Sequence, residues 1–290
     1  MLVIFVTLLL TGFLWGGVYL LMASGLNLIY GVMKIVNLAH GDFIVVGGLM
    51  TLTLFELHVN PLAALPVAAV AMFATGALVQ RGLLERLVES GRSGELRTLL
   101  ATFGLSYVVS NVGLLLWGGQ VQSVPFLEGS VDLLGVRLPQ NLLVCSAFAF
   151  AFAIAVQVWL THTTSGKAVR ATSQSALGAA TCGLNIRRIR VISFALGCAM
   201  AGAAGSLTIT LIPFQSSSGG PLTVQAFTVI ALGGLGNYVG AFFAAAILGI
   251  AEVSTSFLFG ANAAAAVVYV LFIVILVVRP QGLLGRRARV

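Results

Sequence analysis

Charged residues are scarce in this 290-residue chain: Asp, Glu, Lys and Arg together make up 8% of it. A soluble globular domain carries about 25% charged residues, so about two-thirds of the expected charge is missing. Hydrophobic residues reach 59%, and the mean hydropathy is +1.07. So few charges could not hydrate the surface of a water-soluble fold, which excludes a soluble enzyme and a disordered chain. The composition indicates a polytopic integral membrane protein.

Cysteine is also scarce, and the three cysteines are scattered without a C-x-x-C pair. That spacing excludes a disulfide framework and a zinc site. The net charge of +7 does not indicate nucleic-acid binding, because the basic residues lie mainly in short connections between apolar runs. This is the distribution that the positive-inside rule describes, and no basic groove with interleaved aromatic residues is present. We therefore expect no nucleic-acid partner.

The uncharged runs predict the membrane helices, since about 20 apolar residues are needed to cross a bilayer. Two of the predicted helices, 38–57 and 222–235, are short or interrupted by glycine and could be re-entrant. The predicted fold class is all-α, a polytopic transmembrane helical bundle of eight or nine spans in a single domain, 1–290. The predicted helices are 2–30, 38–57, 61–80, 98–118, 141–160, 191–212, 222–235, 238–257 and 261–278.

Basic residues predict the orientation of the bundle. Loop 81–97 contains four arginines offset by three glutamates, loop 161–190 contains five basic residues and no acid, and tail 279–290 contains four arginines. The positive-inside rule places all three on the cytoplasmic side and loop 119–140 outside. Nine crossings would place the N-terminus outside, whereas eight would require one segment to re-enter.

Loop 161–190 predicts a short, self-contained helix between two membrane spans. Thr164 or Ser165 can cap its N-terminus, Gly183 fits the position just after its end, and Asn185 can cap the following helix. The segment is small on most faces and basic near its start, which suits docking into a groove on a partner. An ordinary positive-inside connector explains the same features.

Polar residues inside or near apolar runs are the candidates for a substrate path. Asn27, Asn37, His40 and Asp42 are of this kind, and Asn37 and His40 would share one face of a continuous helix. Intramembrane ionisable groups usually face a polar interior, although internal hydrogen bonding or an interfacial position near Lys34 explains these four as well.

Two interrupted, glycine-punctuated segments, 31–48 and 233–249, resemble each other in the two halves of the chain. Paired interruptions of this kind can mark a transporter's pathway, and chance in a glycine-rich chain explains them as well.

The order of short motifs along most of the chain resembles the permeases of branched-chain amino acid ABC importers, in particular the shorter of their two permease subunits. The motifs that carry this resemblance are 25–31 (GLNLIYG), 36–43 (VNLAHGDF), 166–172 (GKAVRAT), 179–186 (AATCGLNI), 194–205 (FALGCAMAGAAG), 231–237 (ALGGLGN) and 279–285 (RPQGLLG). It implies a permease in the plasma (inner) membrane of a bacterium, working with a second permease subunit, two cytoplasmic ATPase subunits and an external solute-binding protein.

The resemblance also implies that loop 161–190 contains the coupling helix that docks on an ATPase. The residues implied in coupling are Gly166, Lys167, Arg170, Ala171, Ala179, Ala180 and Gly183. Ser173-Gln174-Ser175 departs from the charged or amide pair that relatives often have there. The chain has no G-x-x-x-x-G-K-[ST] phosphate loop, so ATP would be bound by the partner subunits and no cofactor by this chain.

Two alternatives to a branched-chain amino acid importer remain open at this point. Relatives of the family carry urea and short amides, and an ion-coupled carrier would need no docking loop. An intramembrane enzyme fits poorly, because the chain has no H-E-x-x-H and no G-x-S-x-G motif.

Overall fold

The structure, a computed structural model, describes residues 2–88, 92–133, 135–279 and 281–284. Over these residues the chain is predominantly helical. In chain order the elements are α1 (Leu2–Met33), α2 (His40–Glu56), α3 (Pro61–Val79), a π-helical turn (Gln80–Leu84), α4 (Glu85–Val88), α5 (Arg92–Trp117), β1 (Ser130–Leu133), β2 (Val136–Pro139), α6 (Gln140–His162), α7 (Thr164–Gln174), α8 (Ala176–Thr181), α9 (Ile186–Thr208), α10 (Gly219–Gly233), α11 (Tyr238–Phe259) and α12 (Ala261–Val278).

All nine predicted membrane segments are helical, but they are not equally long. In the described part of the chain, seven helices are long and apolar enough to cross a bilayer. The other two, α2 and α10, have 17 and 15 residues and so extend for only about 25 and 22 Å. The polytopic helical bundle is therefore as predicted, whereas the count of eight or nine complete spans is not confirmed.

A small β-hairpin is the departure from the predicted all-α class. Strands β1 and β2 pair antiparallel, with Val131 opposite Leu138, and Gly135 in the turn has φ +83°. Strand β2 buries Val136 and Leu138 and contacts α1, so the hairpin covers one end of the bundle. The alternation of apolar and polar residues explains the strands, but each has only four residues.

Helix α9 is the centre of the bundle, because its small residues allow three other helices to approach it closely. A Cβ added at Gly197 would lie 2.8 Å from the carbonyl oxygen of Gly25 in α1, and one at Gly202 would lie 2.6 Å from Cγ of Met72 in α3. A Cβ at Gly205 would clash with the carbonyl oxygen of Ile44 in α2. Small residues at helix interfaces permit this close packing in membranes.

The described parts of the three basic segments lie at one end of the bundle. The Arg190 guanidinium is 3.3 Å from the Glu85 carboxylate, which joins the start of α9 to the segment after α3. Leu284, near the end of the chain, and Arg170 in α7 line one cavity. The hairpin and loop 118–129 lie at the other end. The residues 285–290, which include three of the predicted cytoplasmic arginines, fall outside the described residues.

The predicted coupling helix is two helices rather than one. Helix α7 ends before Ser175, whose φ of −155° is extended and whose hydroxyl accepts a hydrogen bond from the Gly178 amide to start α8. The cap of α7 is Thr163, not Thr164 or Ser165, since its hydroxyl accepts from the Gly166 amide at 3.0 Å. Gly183, at φ +80°, ends the segment as predicted, and Asn185 caps α9 through the Arg188 amide at 3.0 Å.

Candidate functional site

The link between α1 and α2 is irregular and returns into the bundle. It begins at Lys34, which is exposed, has φ +56° and lies with its ammonium 5.7 Å from the centre of the Tyr30 ring. Further along, the Thr102 hydroxyl of α5 donates to the Val36 carbonyl at 3.2 Å. Irregular backbone is tolerated at membrane depth only where protein groups satisfy it, and this link meets that condition.

Helices α2 and α10 begin at the same place. The Gly41 amide donates to the Thr223 hydroxyl at 2.8 Å, and that hydroxyl also lies 2.9 Å from the Gly219 carbonyl and 3.3 Å from the Leu38 carbonyl. From this α2–α10 junction, formed by the first turns of the two helices, α2 runs to the hairpin end, where Thr53 accepts from the Trp117 indole at 2.7 Å. Helix α10 runs to the opposite end of the bundle, where α7 and the basic segments lie and which is called the coupling end below. The two short helices thus extend in opposite directions from one point.

Asp42 lies in the α2–α10 junction and is 3% exposed. Its carboxylate accepts a hydrogen bond from the Ser106 hydroxyl of α5 at 2.5 Å and packs against the Cα of Gly219. Ser106 is near the middle of α5, a helix of 26 residues and about 39 Å, so the junction lies near the middle of the bundle. The positive ends of two helix dipoles meet at this depth, and they favour a negative charge.

His40 and Asn37 lie beside the junction but face other elements. The His40 ring donates from Nε2 to the Met22 carbonyl of α1 at 2.8 Å, which leaves its buried Nδ1 as an acceptor without a partner. Asn37 accepts from the Ala39 amide at 3.2 Å and has a buried Nδ2 without a partner. The prediction that Asn37 and His40 share a helix face is wrong, because α2 begins only at His40.

Asn27 belongs to a different place, a cavity of about 440 Å³ at the coupling end. Its carbonyl oxygen accepts from the Gly236 amide at 2.7 Å in the α10–α11 turn, and its buried Nδ2 has no partner. Nearby, the Tyr238 hydroxyl donates to the Ser24 carbonyl at 3.0 Å. The four predicted pathway residues are therefore all buried, but the structure does not gather them into one cluster.

Several residues at these places carried no signal that sequence reasoning recognised. Ser106 and Thr223 are ordinary helix-borne hydroxyls, and Gly219 stands in a run of small and polar residues, 215–221, that has the composition of a simple turn. Gly41 and Gly219 each stand in the first turn of a short helix. This shared position is the sequence signal that could have linked α2 to α10. No group of three metal-ligating side chains occurs among the described residues.

The coupling segment presents an exposed face and a buried face. Gly166 and Ala179 are buried, and a Cβ at Gly166 would lie 2.6 Å from Cα of Leu160, so α7 packs directly on the end of α6. The remaining predicted coupling residues are exposed: Lys167, Arg170, Ala171, Ala180 and Gly183. The exposed face is small and basic, which suits contact with an acidic groove.

Comparison with known proteins identifies the chain's relatives. The family described as "Branched-chain amino acid transport system / permease component" matches residues 8–278. The high-affinity branched-chain amino acid transport system permease protein BraD of Pseudomonas aeruginosa is 26% identical, covering 96% of this chain and 95% of its own length. The corresponding LivH of Escherichia coli is 27% identical over 93% of this chain and 92% of its own. A probable LivH of Methanocaldococcus jannaschii is 27% identical, over 94% and 90%. No solved structure gives a significant match.

Proposed function

This chain belongs to the family of branched-chain amino acid transport system permease components, and on that premise we propose that it forms one permease subunit of an ATP-driven importer of branched-chain amino acids. The match over residues 8–278 is the observation that carries the proposal. Members of this family are transport subunits rather than enzymes. The relatives' names favour branched-chain amino acids over urea or short amides as cargo.

The remaining parts of the importer are proposed from the same family membership. They are a second permease subunit, two cytoplasmic ATPase subunits that bind ATP, and an external solute-binding protein. Residues 1–290 would form one permease domain, surrounded by lipid in the inner membrane, with the ends of α3, α6 and α12 on the cytoplasmic side. The gathering of the described basic segments at one end supports this orientation.

We propose residues 161–190 as the coupling loop. Lys167 and Arg170 would contact acidic groups of the ATPase, while Gly166 and Ala179 would hold α7 and α8 against the bundle. Close packing of Gly166 on Leu160 supports a mechanical role, because a force on α7 would pass directly to α6. The exposed Ala171, Ala180 and Gly183 would allow the ATPase surface to approach the backbone.

The α2–α10 junction is the proposed point where substrate crosses the middle of the membrane. An amino acid has an ammonium and a carboxylate, and the junction holds complementary groups: the Asp42 carboxylate and two helix N-termini. His40 and Asn37 have buried polar atoms without partners beside it, and Asn27 has one towards the cytoplasmic end. A shift of α5 would withdraw Ser106 from Asp42 and uncover the carboxylate.

ATP-dependent uptake by the reconstituted complex tests the proposal. Proteoliposomes would contain the permease pair and ATPases, with ATP inside and the binding protein and radiolabelled leucine or urea outside. We expect leucine to accumulate, Arg170→Glu to abolish uptake, and Arg187→Glu, an equal charge reversal in the first turn of α9, to leave it nearly unchanged. Accumulation of urea alone would contradict the cargo, and uptake without ATP would favour an ion-coupled carrier.

A further inference from the structure

The cavity at the coupling end lies apart from the proposed pathway through the α2–α10 junction. Of the four proposed pathway residues, Asn27 alone lines it. Its volume of about 440 Å³ falls within the range of about 300–1,000 Å³ that is typical of small-molecule sites. Four elements enclose it together with Leu284: α1, the end of α6, the coupling helix α7 and the α10–α11 turn. A molecule bound there would touch the coupling helix and the membrane bundle at once.

The charged lining of the cavity is basic. Arg170 lines it, and none of the other described lining residues is acidic. The Arg170 guanidinium has no hydrogen bond or ion pair with any other residue in the described ranges. A guanidinium in a partly enclosed site binds a carboxylate well, because its planar fork can donate two hydrogen bonds to the two oxygens.

The lining also supplies a buried donor and apolar walls. Asn27 is fully buried, and its Nδ2 has no partner, while its carbonyl oxygen is already held by the Gly236 amide. A buried donor without a partner is costly, so a ligand that displaces the atoms now covering Nδ2 and accepts from it is favoured. The apolar walls fit a short aliphatic chain and comprise Leu28, Val32, Leu160, Val169, Leu235 and Val239.

We propose that this cavity binds a small aliphatic carboxylate from the cytoplasmic side and that its occupancy slows transport. The ligand would bridge Arg170 on α7 to α1 and the α10–α11 turn. Binding that favours one position of α7 shifts the population towards that position and opposes the movement that coupling requires. The transported amino acid and other aliphatic carboxylates share this chemistry. The transport consequence rests on the proposed function, whereas the binding site does not.

Binding is tested on the full-length chain alone in lipid nanodiscs. Ser173→Cys places a reporter thiol in the cavity, and Cys182→Ser removes the exposed thiol, while Cys145 and Cys198 stay buried. The measurement is the rate of maleimide labelling in the presence of leucine, 4-methylpentanoate or leucinamide. We expect leucine and 4-methylpentanoate to slow labelling and leucinamide, which lacks a carboxylate, to have no effect. Protection by leucine alone would also support the site and would identify the transported amino acid as its ligand.

A matched pair of charge removals on α7 controls this measurement. Arg170→Gln should raise the half-protecting concentration of carboxylate about tenfold or more, equivalent to about 1.4 kcal/mol. Lys167→Gln removes the same charge from the same helix outside the cavity lining and should leave protection unchanged. Equal protection by leucinamide, no protection by any of the three compounds, or equal effects of the two variants would overturn the proposal.

The transport consequence is measured in proteoliposomes of the whole complex with 4-methylpentanoate sealed inside with ATP. The initial rate of leucine uptake should fall by about half or more once the site is filled. Gln157→Ala, which alters the α6 wall of the cavity outside the coupling loop, should keep uptake and lose this inhibition. Uptake that is insensitive to the sealed carboxylate would refute the inhibitory role. If the complex shows no ATP-dependent uptake, the proposed function fails, and the labelling measurement still decides the site.

Discussion

A single methyl group at Gly219 should separate α2 from α10, whereas the same group at Gly220 should not. A Cβ added at Gly219 would lie 2.6 Å from Cγ and 2.9 Å from the backbone nitrogen of Asp42, and it would overlap Oδ1. A Cβ added at Gly220 would have no atom within 4 Å. Both glycines are in the first turn of α10, so the two substitutions change helix propensity similarly.

The cost follows from the distance that must be recovered. Carbon atoms prefer about 3.5–4.0 Å, so Asp42 or the start of α10 must move by about 1 Å. Overpacking of a dense interior costs about 1–3 kcal/mol. If the carboxylate rotates away instead, its hydrogen bond with Ser106 is lost, and a bond to a charged group contributes about 1.5–3 kcal/mol. We therefore expect Gly219→Ala to be about 2–4 kcal/mol less stable than Gly220→Ala.

The difference between Gly219→Ala and Gly220→Ala is measured by thermal unfolding and by leucine uptake. A thiol-reactive fluorophore reports unfolding through the buried Cys145 and Cys198 once Cys182→Ser has removed the exposed thiol. Gly219→Ala should expose the buried thiols at a lower temperature and slow leucine uptake, and Gly220→Ala should match the parent chain in both. Equal stability and equal uptake for the two variants would show that the junction is not closely packed, and the argument for a shared start of α2 and α10 would fail.

Two further predictions compare closely matched sites elsewhere in the bundle. Thr223→Val removes the acceptor of an α2 amide and should cost about 1–3 kcal/mol, whereas Thr228→Val removes only a bond within α10 and should cost less in the same unfolding assay. A smaller loss for the first variant than for the second would contradict the bonding of the junction. Gly205→Ala overlaps the α2 backbone and should destabilise by about 1–3 kcal/mol, while Gly104→Ala, with open space around it, should be neutral or stabilising by up to about 1 kcal/mol. Destabilisation by both variants alike would exclude close packing as the cause.

The family membership and the helical segments could be predicted from the sequence alone. Uncharged runs of about 20 residues have one stable form in a bilayer, because a helix satisfies its own backbone hydrogen bonds there. Local signals also placed helix ends, since Asn185 and Gly183 act through neighbouring backbone groups only. The prediction of one continuous coupling helix was wrong, because Ser175 is extended and splits the segment into α7 and α8. The sequence also did not predict the hairpin, since each of its strands has only four residues.

Only the tertiary structure decided which polar residues meet. The irregular links 34–39 and 209–218 carry no periodic pattern, so the sequence could not show that they bring Gly41 and Gly219 together. Asn27 and Asp42 look equivalent as polar residues in apolar runs, yet one faces a cavity at the coupling end and the other the junction near the middle. Hydrophobicity determines that a segment enters the membrane, because the bilayer acts on each segment separately. The partner of a buried side chain depends on packing between segments far apart in the chain, and the close approach of glycine backbones sets that packing here.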